Sequence, residues 1–201
     1  MDKRVRALLE ALGEEYPRAE CALRFSNPLE MLVATMLSAQ CTDKMVNRVT
    51  ERLFRKYRSA REYARASLPE LEQDIRSTGF YRNKARNIQG ACRMLVEKHG
   101  GNVPGTMEEL LELPGVARKT ANIVLGNVFG VVEGIAVDTH VRKFALRAGL
   151  SQQENPDRIE KDLMALLPRK EWLIFTYRVI EHGRQCKYKR PGCRVCRFVK
   201  W

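Results

Sequence analysis

No stretch of this chain stays apolar long enough to cross a bilayer. The longest uncharged run, from Thr120 to Val132, covers 13 residues, against the roughly 20 a spanning helix takes. The opening residues Met1-Asp2-Lys3-Arg4 lead into an amphipathic pattern and not into an apolar block with a cleavage site, so no secretory leader is expected. Sustained two-residue alternation is missing, and no hairpin turn joins two β-rich runs, which speaks against a sheet protein. Low-complexity tracts and long repeats are missing too. The hydrophobic fraction of 44% suffices for a real core, so disorder is not the expectation.

Acidic residues are scarce relative to basic ones. Thirty-six Lys and Arg stand against 24 Asp and Glu, a formal net charge of +12, and such a surplus favours a polyanionic partner. A membrane surface and a nucleic acid both qualify. The basic residues are spread along the chain and not gathered in one amphipathic helix, which favours nucleic acid. A cytoplasmic, nucleic-acid-associated monomer without membrane contact is the expectation.

Helix signals recur from end to end. Asn27-Pro28-Leu29-Glu30 combines an N-cap, a proline at the first helical position and a capping-box glutamate. The same box is legible at Ser59…Glu62, Ser67…Glu70 and Thr106…Glu109, and Asn155-Pro156 repeats the cap and proline. Apolar residues come after them at helical spacing, as in Leu29, Leu32, Val33, Met36 and Leu37. The chain reads as all-α, with about ten short helices. From Ala121 to Val132 apolar residues fall on every side, which predicts a helix buried all round.

Leu113-Pro114-Gly115-Val116-Ala117-Arg118-Lys119-Thr120-Ala121 places a tight Pro-Gly turn between a helix opening at Thr106 and this apolar helix. Such a hairpin exposes backbone N–H groups at a helix N-terminus, where donors and dipole favour a phosphate; an ordinary helix–helix turn is the other reading. Lys119 stands in the first turn, where the macrodipole prefers an anion. Partial burial is expected for it, and a neutral amine there is a nucleophile able to form a Schiff base with a sugar carbon. A plain phosphate-binding lysine competes. Further on, Gly134-Ile135-Ala136-Val137-Asp138-Thr139-His140-Val141 presents Asp138 as a helix N-cap, preceded by an apolar run that would bury a catalytic carboxylate equally well.

Four blocks together resemble the helix-hairpin-helix DNA glycosylases, and within them the endonuclease III branch: Leu37 to Asp43, Gly79 to Ala85, Leu113 to Ala121, and Ile135 to Val141. The resemblance implies a central helical barrel over 21–132, a second helical domain from 1–20 and 133–201, and a cleft between them. It implies a bifunctional glycosylase and AP lyase removing oxidised pyrimidines from duplex DNA, with Lys119 attacking C1′ and Asp138 stabilising the charge on the sugar. A non-catalytic DNA-binding module, or the same fold acting on another damaged or mismatched base, are the alternatives. Gln40, Phe80 and His140 match positions that fill the hole left by a flipped base, and Gly115, Val116, Ala117 and Arg118 the phosphate-binding hairpin. Relatives often carry leucine at the position of Phe80 and glycine at that of Ala117; alanine there implies that right-handed backbone suffices.

Cys21, Cys41 and Cys92 are isolated and read as small buried hydrophobes. Cys186-x6-Cys193-x2-Cys196 resembles the start of the family's iron–sulfur loop, whose fourth cysteine would fall at position 202, one beyond Trp201. A [4Fe–4S] cluster is implied; zinc is the chemical rival, although the first gap is long for it, and unmetallated thiols are the remaining reading. Lys187, Lys189 and Arg190 make the loop basic, as expected of a segment aimed at DNA phosphates.

Overall fold

The structure is a computed structural model and describes residues 2–186 and 190–199. Every regular element among them is helical. Two compact units form, Ala22–Val131 and the pairing of Met1–Cys21 with Val132–Trp201.

The first unit runs α2 (Pro28–Leu37), α3 (Asp43–Lys56), α4 (Ala60–Arg65), α5 (Leu68–Asp74), a 3-10 turn (Arg76–Thr78), α6 (Tyr81–Lys98), α7 (Met107–Glu112) and α8 (Arg118–Val124), which continues as a π-helical turn over Leu125–Phe129. The caps explain where these helices begin. The Asn27 side chain accepts from the N–H of Glu30 at 3.0 Å. Ser59 and Glu62 close a reciprocal capping box, and Thr106 accepts from the N–H of Glu109 at 3.3 Å. Ser67 departs from expectation, since its side chain makes no cap bond. Pro69 occupies the second helical position there and has no N–H to offer.

The most enclosed helix is α2, in which every residue from Met31 to Leu37 is buried. The stretch from Ala121 on differs from its prediction. Ala121, Val124 and Leu125 are buried, but Ile123 and Val128 are half-buried and Phe129 is exposed. The π turn changes the period there, turning Asn127 so that its amide donates to the Ile123 carbonyl at 2.6 Å. The Phe129 ring comes to rest over Gly105, 3.5 Å from where a β-carbon would stand.

The second unit runs α1 (Lys3–Glu15), α9 (Thr139–Arg147), α10 (Pro156–Leu166), a 3-10 turn (Arg169–Glu171), α11 (Trp172–Gln185) and a last 3-10 turn (Val195–Phe198). Its core gathers Leu8, Leu12, Phe144, Leu163, Phe175 and Val179, each contributing about 1.5–3 kcal/mol by burial. Arg4 ties its distant parts together, donating to the Ala148 carbonyl at 2.8 Å and the Phe198 carbonyl at 3.1 Å. Among the described residues, no helix is long and apolar enough to cross a membrane.

Candidate functional site

The hairpin is built as its sequence requires. Leu113 ends α7 in extended backbone, the Val116 N–H closes a turn onto the Leu113 carbonyl at 3.1 Å, and Gly115 takes a φ of 76°. Only glycine adopts that angle without strain. Space demands it as well, because a β-carbon at Gly115 would lie 2.7 Å from the β-carbon of Asn87 on α6. Ala117 is the N-cap of α8 with φ −95° and ψ 168°. It is extended and not right-handed helical as expected, though still on the side of φ open to any residue. No side chain caps α8, so the turn presents a helix start whose donors and positive dipole end suit an anion. Lys119, in the first turn, is exposed, where partial burial was expected. An exposed amine at this place is open to an approaching ligand.

Two loops in the same unit carry unusual backbone. Gln40 has φ 52° and Phe80 has φ 47°, the non-glycine residues with positive φ among those described. Such conformations cost on the order of 1–3 kcal/mol each and concentrate at functional sites. Both side chains are exposed, Phe80 to 64%. A large apolar ring held out in water at that expense suits a wedge better than a core aromatic. The two residues border one cavity of about 200 Å³, with Met36, Ala39, Asn83 and Gly115 among its lining. These two gap-filling candidates and the hairpin glycine therefore face a common hollow.

Asp138 caps α9, its carboxylate accepting from the Val141 N–H at 2.8 Å. It is half-buried, and the segment before it is firmly held. Buried Glu160 accepts from the Ile135 N–H at 3.2 Å, and the Thr176 hydroxyl donates to the Ala136 carbonyl at 3.3 Å. One carboxylate oxygen can serve the cap while the other faces a ligand. His140 lies just beyond on α9 and packs tightly on α11, where a β-carbon at Gly183 would lie 2.3 Å from its Nδ1. That contact gives the ring a packing role beside the one expected for it.

Cys186, Cys193 and Cys196 come together at the end of α11, with Cys186 and Cys196 sulfurs 3.3 Å apart. His182, one helical turn before Cys186, joins them: the four ligand atoms lie within 4.8 Å of one another. Sequence reasoning missed this histidine, although the four-residue step to Cys186 places both on one helix face. Its Nδ1 lies 3.1 Å from the Tyr16 hydroxyl, and burial pushes its pKa down to about 4. Three soft thiols gathered in a largely buried pocket are three of the four donors that a [4Fe–4S] cluster takes, and the residues present fit it. Burial foremost, with the neighbouring thiols, pushes the Cys196 thiol well up, so its thiolate form would need a cation beside it.

Lys187 and Lys189 lie outside the described residues. Arg190, expected at a DNA phosphate, pairs with Glu15 at the end of α1. The Arg194 N–H binds the same carboxylate at 3.2 Å, and the Arg194 guanidinium pairs with Glu14. The Arg194 N–H foremost, then Arg190, holds the Glu15 carboxyl below the usual carboxylate range. Two acids on α1 thus hold Arg190 and Arg194. Glu15 stands 175 positions before Arg190, a separation that no local pattern spans.

Residues 33–169 match the model of the HhH-GPD superfamily of base excision DNA repair proteins. The chain is 50% identical to endonuclease III of Synechocystis sp. over 98% of its length and 90% of that protein. It is 47% identical to endonuclease III of Bacillus subtilis over 96% of its length and 89% of that protein. A solved structure of a non-covalent endonuclease III–DNA complex superposes with a TM-score of 0.90 at 48% identity, covering 98% of this chain and 94% of that one. With its hairpin, capped aspartate and cysteine group, and with this likeness running over nearly its whole length, the chain belongs to the HhH-GPD superfamily of base excision DNA repair proteins.

Proposed function

We propose that this base excision repair glycosylase is bifunctional: it removes oxidised pyrimidines from duplex DNA with a lysine nucleophile and then cuts the strand as an AP lyase. The observation that carries the reading is Lys119, an exposed amine in the first turn of α8, immediately after the Gly115 hairpin. The hairpin N–H groups, with Arg118 beside them, hold backbone phosphates by charge and shape, without reading sequence. The damaged nucleotide must leave the stack before C1′ can be reached. Gln40 and Phe80, thrust out on left-handed backbone, fill the gap that it leaves.

The Lys119 nitrogen attacks C1′, giving up a proton as the bond forms, and the glycosidic electron pair departs with the base, which takes up a proton. Opening of the sugar ring gives the imine. Removal of a C2′ proton then expels the 3′ phosphate and cuts the strand on that side. Asp138, fixed by its cap bond to Val141, supplies the carboxylate that stabilises positive charge on the sugar and assists the proton transfers. Cys186, Cys193 and Cys196 would hold a [4Fe–4S] cluster, which supplies structural cross-linking of α11 to the loop beyond it and no step at the sugar.

Borohydride reduction with an abasic duplex tests the reading. A covalent adduct is expected with the natural protein and none with Lys119→Ala. Trapping at the natural rate by Lys119→Ala would overturn it, and salt-sensitive binding without any scission would leave a non-catalytic DNA-binding module. A panel of duplexes carrying oxidised, alkylated or mismatched bases separates the pyrimidine assignment from its relatives in chemistry.

A further inference from the structure

Lys84 is a buried lysine whose hydrogen-bond partners are both backbone carbonyls. It stands in the first turn of α6 and is only 6% exposed. Its Nζ donates to the Leu37 carbonyl at 2.8 Å and to the Thr78 carbonyl at 2.7 Å. Leu37 is the last residue of α2, and Thr78 the last residue of the 3-10 turn. Each carbonyl is one of the unpaired acceptors that a helix leaves at its C-terminal end, where the dipole favours a cation. The ammonium thus closes two helix ends at once.

The chain just beyond those two ends carries the exposed pair. Three residues after Leu37 comes Gln40, and two residues after Thr78 comes Phe80, the pair with left-handed backbone. The chain leaves each carbonyl, turns sharply, and presents one exposed side chain at the mouth of the cavity that Lys84 also lines. We infer that Lys84 is a positioning residue for strand invasion, clamping the Leu37–Gln40 and Thr78–Phe80 turns so that Gln40 and Phe80 enter the duplex together. Neither turn has another side chain reaching across to the other in the described hydrogen bonds. The strain at both sites is held by surroundings that must be rigid, and a doubly bonded amine beneath them provides that rigidity. Burial lowers the Lys84 pKa, yet even a neutral amine has the two N–H donors that these two carbonyls use.

The inference rests on the gap-filling role given above to Gln40 and Phe80. Two substrates separate the two ideas: a duplex with an abasic site, where a gap must be filled, and a single strand with the same site, where there is none. Borohydride trapping is measured on both for the natural protein, Lys84→Met, the double variant Gln40→Ala/Phe80→Ala, and the triple variant. The ratio of duplex to single-strand trapping is expected to fall about tenfold in Lys84→Met, as a misplacement of about an ångström can produce. In the double-variant background the added Lys84→Met change is expected to lower that ratio less than about twofold, because the side chains it positions are gone. Equal loss on both substrates, no loss, or full additivity in the triple variant overturns the inference. If Lys84→Met does not fold, Lys84→Gln, which keeps an N–H donor, is carried through the same measurements. Failure of the natural protein to trap either substrate would instead refute the proposed function.

Discussion

Two turns hold functional candidates in opposite ways. In the unit Ala22–Val131, Gln40 and Phe80 sit on left-handed backbone, exposed, over a buried lysine bonded to two carbonyls. In the other unit, Asp138 lies in ordinary extended backbone, half-buried, with its carboxylate on the Val141 N–H and the preceding residues pinned by Glu160 and Thr176. The difference fits the tasks proposed for them. A wedge must project beyond the surface, and the chain reaches that far only by a strained turn. A carboxylate that stabilises charge must not move, and a relaxed N-cap inside a hydrogen-bonded frame holds it still. Strain is thus found where a side chain is pushed out and avoided where one is kept in place.

The strongest way to break this contrast is to remove the charge of Asp138 while keeping its cap. Asparagine is as good an N-cap as aspartate, so Asp138→Asn is expected to lose roughly a hundredfold or more in trapping and base release. Its unfolding free energy should stay within about 0.5 kcal/mol. Asp138→Ala should lose the activity and a further ~1 kcal/mol of stability with the cap. Denaturant melts of both variants beside single-turnover assays decide it. If the asparagine protein retained natural rates, Asp138 would be a cap and nothing more.

Gly115 sharpens the comparison from the hairpin side. Alanine there must adopt φ 76° and meet Asn87 at 2.7 Å. The left-handed angle alone costs about 1–2 kcal/mol. Gly115→Ala is expected to lower stability by about that amount and to weaken duplex binding at every sequence alike, since phosphate contacts carry no base information. Denaturant titration and binding to unrelated duplexes measure the two effects. A protein with natural stability would show that the hairpin relaxes freely.

Much of this was legible in the residues. The caps at Asn27, Ser59, Thr106 and Asn155 act locally, through bonds spanning two or three positions, and periodicity with turn chemistry suffices to read them. The hairpin and the three cysteines were legible for the same reason. The most buried helix was misplaced, because the apolar run after Ala121 is interrupted by a π turn, whereas α2 is enclosed by neighbours that its own sequence does not announce. Lys84 had no signal at all. It reads as one more cation on an amphipathic helix, and only the fold brings it to a carbonyl 47 positions away. Glu15 beside Arg190 had no signal either: the two stand 175 positions apart, and only the fold joins them.

The finest probe of the contrast uses the pH dependence of the clamp, because the Asp138 cap rests on a carboxylate and not on a buried amine. Burial places the Lys84 pKa below the ordinary 10.5. Between the lowered value and 10.5 the unfolded chain still holds a proton on this amine that the folded protein has begun to release. The unfolded state therefore binds more protons, and stability rises with pH across that window. At lower pH both states are charged and the full desolvation cost of burying the ammonium is felt; above 10.5 that cost is relieved. Lys84→Met has no such group, and every other titration is common to both proteins. The unfolding free energy of the natural protein minus that of Lys84→Met is thus expected to grow as the pH is raised toward 10.5, in denaturant melts taken at matched ionic strength. A difference that shrank over that range would mean the two helix ends hold the charged amine more strongly than burial opposes it. The clamp would then be an electrostatic lock, and its hold on Gln40 and Phe80 would weaken in alkali instead of tightening.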